Sequence, residues 1–195
     1  MYMMLTNGRL KFGKAPVFMP STADNVLKNT LARMKEENPV KWTEQMKGLT
    51  HGVLDPLKLR IDKAKLFRLS SRKRLKDKKL GKAAYRAEVV LAETAVFLYV
   101  SLRRMRDKAE RTENLDHLFS VYKAASALSA HLDCKNLFLP HIYPKNDPQL
   151  LSALVNQRHA AALSLHTDVS DKLGGVDKIL GISLPKAPRL PNIPK

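Results

Sequence analysis

Cysteine is nearly missing from this sequence: Cys134 stands alone, which excludes an internal disulfide framework and suits a reducing compartment such as cytosol, nucleus or organelle matrix. Long apolar runs are missing too. The longest candidate, "VVLAETAVFLYVSL" from Val89 to Leu102, falls short of the ~20 residues a spanning helix needs and carries Glu93 inside it. Glycine-rich loops of diagnostic spacing are absent. Gly8, Gly13 and Lys14 in "GRLKFGKAP" imitate a phosphate-binding loop, but Ala15 replaces the hydroxyl that would hold Mg²⁺, and Pro16 and Pro20 oppose a following helix. "KLGGVDKILG" has neither dinucleotide-loop spacing nor a strand before it. Acid is absent from the first 23 residues, which hold Arg9, Lys11 and Lys14. That composition loosely resembles an organellar targeting peptide, whereas a secretory h-region is not visible.

What the sequence has in excess is positive charge. The 195 residues carry 35 Lys and Arg against 18 Asp and Glu, a net +17. Such a charge repels itself in the folded state and is expected to persist where a polyanion neutralises it, nucleic acid and anionic lipid being the usual ones. Its placement is uneven: residues 58–111 hold 18 basic and 6 acidic side chains, or +12, while residues 23–57 balance to zero. The stretch Lys58 to Lys82 contains Lys58, Arg60, Lys63, Lys65, Arg68, Arg72, Lys73, Arg74, Lys76, Lys78, Lys79 and Lys82 against Asp62 and Asp77. Acids are too few there to pair at helical spacing, so the tract predicts an external partner.

Periodicity predicts an all-α protein, an irregular bundle of about four to six helices with extended basic arms at both ends. Ser21 or Thr22 would cap a first helix ending before Pro39, followed by a short turn around Trp42 and Met46 that stops near Gly48. Asp55 and Pro56 then read as N-cap and first residue of a basic helix running to about Ser70, whose Leu57, Leu59, Ile61, Leu66 and Phe67 make no clean stripe. Ala84, Ala87, Leu91, Ala95, Leu98, Leu102 and Met105 alternate three and four apart and mark the core helix, apolar on its other faces as well. Its end is loaded with Arg103, Arg104 and Arg106, where cations suit the helix dipole and can reach a polyanion. Asn114 or Thr112 opens the next helix, and Asp147 with Pro148 opens another. The link between them, rich in proline, predicts an extended crossing. The organisation expected is an arm over residues 1–22, one helical domain over 23–177, and a Pro-rich tail over 178–195 with Lys186 and Arg189. Both arms are expected to lie against partners.

Chemistry is thinly represented. His131, Cys134 and His141 match no dependable zinc spacing, so no metal and no cofactor are expected. Cys134 reads as a buried, inert thiol, Glu88 and Glu93 as helix-surface or paired charges, Trp42 and Tyr143 as core fillers. Neither a catalytic residue nor an enzyme is expected.

One cause accounts for the basic tract, the acid-free arms and the missing chemistry: a structural RNA-binding component of a ribonucleoprotein, such as a ribosomal protein, cytoplasmic or in the mitochondrial matrix. Its partners would be ribosomal or other structured RNA and neighbouring proteins of the assembly. The contacts expected are the twelve cations of the tract with Arg103, Arg104, Arg106, Arg9, Lys11, Lys14, Lys186 and Arg189. The alternative is an accessory subunit of a mitochondrial respiratory or ATP-synthase complex, with the same cations on anionic headgroups.

Overall fold

A computed structural model describes residues 3–6, 9–12, 22–134, 136–144 and 146–189. The chain divides into two compact units, residues 1–43 and 44–195.

In the first unit, β1 (Met3–Thr6) and β2 (Arg9–Phe12) pair antiparallel, with Met3 opposite Phe12 and Thr6 opposite Arg9. Both strands are extended backbone, as expected of the arm, and they pair with each other. In the sequence Asn-Gly separates the two strands, and that dipeptide is a strong short-range hairpin signal. Helix α1 (Thr22–Glu37) follows, as the capping and Pro39 signals predict.

Helix α2 (Pro39–Lys76) is a correction. It starts at Asn38-Pro39, where the Asn38 side chain accepts from the Lys41 amide at 3.1 Å, and runs through Gly48, Gly52 and Pro56 without a break. Asn-Pro at 38–39 is the same N-cap and first-residue signal read at Asp55-Pro56, seventeen residues earlier. The helix also has the stripe thought absent: Met46, Thr50, Leu54, Leu57, Ile61, Ala64, Phe67 and Ser71 are buried at three- and four-residue steps. Thr50 and Ser71 hide it in the sequence because they are polar. The Thr50 hydroxyl donates to the Met46 carbonyl four residues back and the Ser71 hydroxyl to the Glu88 carboxylate, so both enter the core without an orphaned donor.

Helix α3 (Lys82–Arg111) lies antiparallel to α2, since contacts step down one helix as they step up the other: Ser71 with Glu88, Arg68 with Glu93, Asp55 with Arg106. The turn between them closes on Arg74, whose carbonyl accepts from the amides of Lys79 and Leu80, and it holds Lys78 at φ 56°. All seven residues predicted to face the core from α3 are buried. Its other faces are less covered than expected, with Phe97 and Val100 exposed.

Helices α4 (Leu115–Leu132) and α5 (Pro148–Leu173) pack against α3 and each other. Asn114 caps α4 by accepting from the His117 amide, and Asp147 caps α5 by accepting from the Leu150 amide. The link between them forms no strand among its described residues and is fastened from both sides. Arg74 of α2 donates to the His141 carbonyl, and Arg158 of α5 donates to those of Leu137 and Leu139. Gly174 ends α5 in the left-handed region at φ 59°, and the short α6 (Val176–Ile179) follows.

The tail after α6 corrects another expectation. Through Pro185 it lies on its own body: Lys108 donates to the Leu180 carbonyl at 2.6 Å, Ser101 to that of Ser183 at 3.3 Å, and His166 Nε2 sits 2.7 Å from that of Pro185. Free carbonyls of an irregular segment find donors on α3 and α5. Among the described residues, no helix is long and apolar enough to cross a membrane.

Candidate nucleic-acid interface

Helical geometry sorts the twelve cations of the basic tract into two groups. Lys58, Lys63, Arg72, Lys73, Lys76, Lys78, Lys79 and Lys82 are exposed and make no ion pair among the described residues. Arg60, Lys65, Arg68 and Arg74 are paired with acids: Arg60 with Asp133 at 2.7 Å, Lys65 with Asp62 at 2.9 Å, Arg68 with Glu93 at 3.2 Å and Arg74 with Glu88 at 3.0 Å. Arg60 and Arg74 are also half-buried on the flanks of the buried stripe, where a cation meets the neighbouring helices rather than solvent. The free cations crowd the last turns of α2 and the turn into α3. Five of them fall within Lys73 to Lys82.

At the far end of α3, Arg103 and Arg104 are exposed, but Arg106 is buried and turned inward. Its guanidinium meets Asp107 at 2.8 Å, Asp55 at 3.3 Å and His51 Nδ1 at 3.3 Å. Burial works against its charge, and hydrogen-bonded Asp107 with Glu110 and Asp55 more than offsets this, so the guanidinium stays firmly protonated. Arg106 therefore belongs to the helix–helix contact and not to an outer surface. Lys186 and Arg189 are exposed on the tail. Arg9 and Lys11 lie in β2, and Lys14 lies outside the described residues.

The most enclosed polar group sits at the α2–α3 end. The Glu88 carboxylate is fully buried, accepts from Ser71 at 2.5 Å and receives Arg74 on both oxygens. Tyr143 packs nearby with Tyr85 and Leu151 on Leu80, Ala84, Ala87 and Val155, the core-filling role expected of it. Its hydroxyl has no hydrogen-bond partner among the described residues, and burial with the Glu88 charge pushes its pKa up. Burial, with Arg158 next, pulls His141 down, and burial alone pulls His159 down. In this cluster Arg74 and Arg158 hold the link through its carbonyls at His141, Leu137 and Leu139. Periodicity could not reveal this cluster, because its members come from four separate segments.

Cys134 is exposed just past α4, a correction to the buried thiol expected. His131 is committed to Asp168 at 2.5 Å, and His141 to an edge contact with the Tyr143 ring, so the three residues considered for zinc point to different partners. Among the described residues no group of three or more candidate ligands could hold a metal ion. Trp42 is buried, as a core filler should be.

These features define the class, an all-α helical bundle whose cations are gathered along one long helix and the turn that follows it. The chain matches no protein-family model, no curated protein and no solved structure.

Proposed function

We propose that the protein binds structured RNA as a non-catalytic component of a large ribonucleoprotein, a ribosome being the assembly that best fits an all-helical chain of this charge. The observation that carries this reading is the cluster Lys73, Lys76, Lys78, Lys79 and Lys82, five exposed cations without an ion pair among the described residues. A helix dipole rationalises a cation or two in the last turn of α2. It does not rationalise continuing the series through the turn and into α3, where the charges repel one another unless phosphates lie between them. Phosphate contact needs no particular base, which suits lysines, whose ammonium groups act as point charges on flexible stems.

The test is binding of the purified chain to a structured RNA over a range of salt. Affinity should fall steeply, with log Kd linear in log salt, and replacing the five lysines by glutamine should remove most of the dependence. A slope near zero would reject the reading, and retention on anionic vesicles without RNA binding would favour the lipid-surface alternative.

A further inference from the structure

We propose that the outward face of α2 between Lys58 and Arg72 docks an acidic amphipathic helix of a partner protein. This face is opposite the buried stripe, yet it carries Leu59, Leu66 and Leu69 at 73%, 65% and 58% exposure. Exposed leucines are unremarkable singly. Here their spacing has a pattern: Leu59, Asp62, Leu66 and Leu69 follow one another three, four and three residues apart, the seam spacing of a helix that packs side by side with another, and the row ends where Lys73 and Lys76 take it over.

The charges flanking that seam are ordered in the same way. Lys58 and Lys65 stand directly before Leu59 and Leu66, Arg72 continues their seven-residue step, and all three are exposed. In paired helices this flanking row meets the partner's own flanking row and selects its sign. Lys58 and Arg72, without an ion pair among the described residues, and Lys65, shared with Asp62, therefore call for glutamates or aspartates on the partner. Lys63, on the other flank, adds to the same preference. Beside Leu66 an open groove of about 650 Å³ runs between α2 and the 133–147 link, floored by Phe67, Leu132 and Phe138 and flanked by Leu139. It is a concave receptacle for a large side chain projecting from the docked helix.

RNA does not account for this face, since phosphates would satisfy the cations and leave the leucines against a charged backbone. A lipid surface accounts for it less well than a helix does. Asp62 lies in the middle of the apolar row, paired with Lys65 at 2.9 Å, and would be carried with the leucines towards the acyl boundary. In a helix pair, a single polar seam position is tolerated and helps to fix the register. The inference is independent of RNA binding: it transfers Lys58, Lys65 and Arg72 to a protein contact and leaves Lys73 to Lys82 for phosphate.

The experiment uses the full chain and a fluorescent synthetic helix of about four heptads, leucine at its seam and glutamate on both flanks, with a companion peptide bearing lysine on the flanks. At about 100 mM salt the glutamate peptide should bind and the lysine peptide should not. Changing Leu59→Ser and Leu66→Ser together should weaken that binding by about tenfold or more while RNA binding and the melting temperature hold. Replacing the five lysines from Lys73 to Lys82 by glutamine should do the reverse, sparing the peptide and losing RNA. Absence of glutamate-peptide binding, equal binding of both peptides, or indifference to the leucine changes would overturn the proposal. So would loss of RNA binding in the leucine variant, which would assign the ridge to RNA, or leucine-dependent capture by phosphatidylserine vesicles in place of the peptide.

Discussion

Arg74 and Glu88 meet across the turn that joins α2 to α3, with Nη1 3.0 Å from both carboxylate oxygens, while Nη2 donates to the His141 carbonyl at 2.7 Å. One guanidinium thus ties two helices and the long link together. The carboxylate is wholly buried and the guanidinium largely so, which makes the pair costly to break from either side.

Glu88→Ala should therefore destabilise the protein by about 3–5 kcal/mol in a denaturant titration, because Arg74 and Ser71 lose their partner together. Glu88→Gln, which keeps the shape and one acceptor, should cost less. Equal loss in both variants would show that packing rather than charge holds the site.

Lys78 adopts φ 56° at the end of α2, a region where a side chain is strained. Lys78→Gly should relieve that strain and raise stability by about 0.5–1 kcal/mol after glycine's extra freedom in the unfolded chain is counted. The same change should weaken RNA affinity slightly, so stability and binding would move in opposite directions.

If Lys73, Lys76, Lys78, Lys79 and Lys82 each neutralise one phosphate, changing all five to glutamine should flatten the salt slope by up to about 3.5 on single-stranded segments. Arg106→Gln should leave the slope alone and lower the melting temperature, since its charge is spent on Asp107 and Asp55.

Leu98 is fully buried and Leu59 is mostly exposed. Truncation of Leu98 to alanine should cost about 2–5 kcal/mol, whereas Leu59→Ala should stay within about 0.5 kcal/mol. Equal costs would mean that the outward leucine row is covered within the monomer.

Buried His159 has its pKa pulled below the ordinary value, so the folded protein holds it neutral while the unfolded chain takes up a proton. Stability contributed by the neutral ring is complete above about pH 6.5 and is lost as pH falls through that value towards the folded pKa. Melting temperature should drop between about pH 7.5 and 5.5, and the drop should shrink in His159→Leu, which also removes the unpartnered Nδ1. An identical drop in the variant would shift the effect to His141, lowered by burial and Arg158.

The core helix was readable because seven apolar residues of α3 keep one strict alternation, and the caps at Asn114 and Asp147 were readable because their side chains act locally. α2 was misread for two separate reasons. Pro56 resembles a helix start when taken with Asp55, yet Asp55 is occupied by His51 and Arg106 and the true start uses Asn38-Pro39. Leu59 and Leu66 stand among the apolar residues of the helix with Leu57, Ile61 and Phe67, whereas Thr50 and Ser71 do not, so the real stripe is blurred by apolar residues outside and hydroxyls inside. The cation tract was legible as a composition. Which of its members are free was not, because Arg60, Arg68 and Arg74 find acids 14 to 73 residues away in the chain.

Those pairings divide labour by side-chain type. Arg60, Arg68, Arg74, Arg106 and Arg158 tie helices or the link to one another, while most lysines of the basic tract are unbound among the described residues. Planar guanidinium forks suit fixed internal acceptors, and ammonium groups do not. Within the basic tract the two kinds of positive charge are consequently separable by reagent: acetylation of amines would edit mainly its outer surface, whereas a dione directed at guanidinium groups would, beside the exposed Arg72, loosen the joints at Arg60, Arg68 and Arg74.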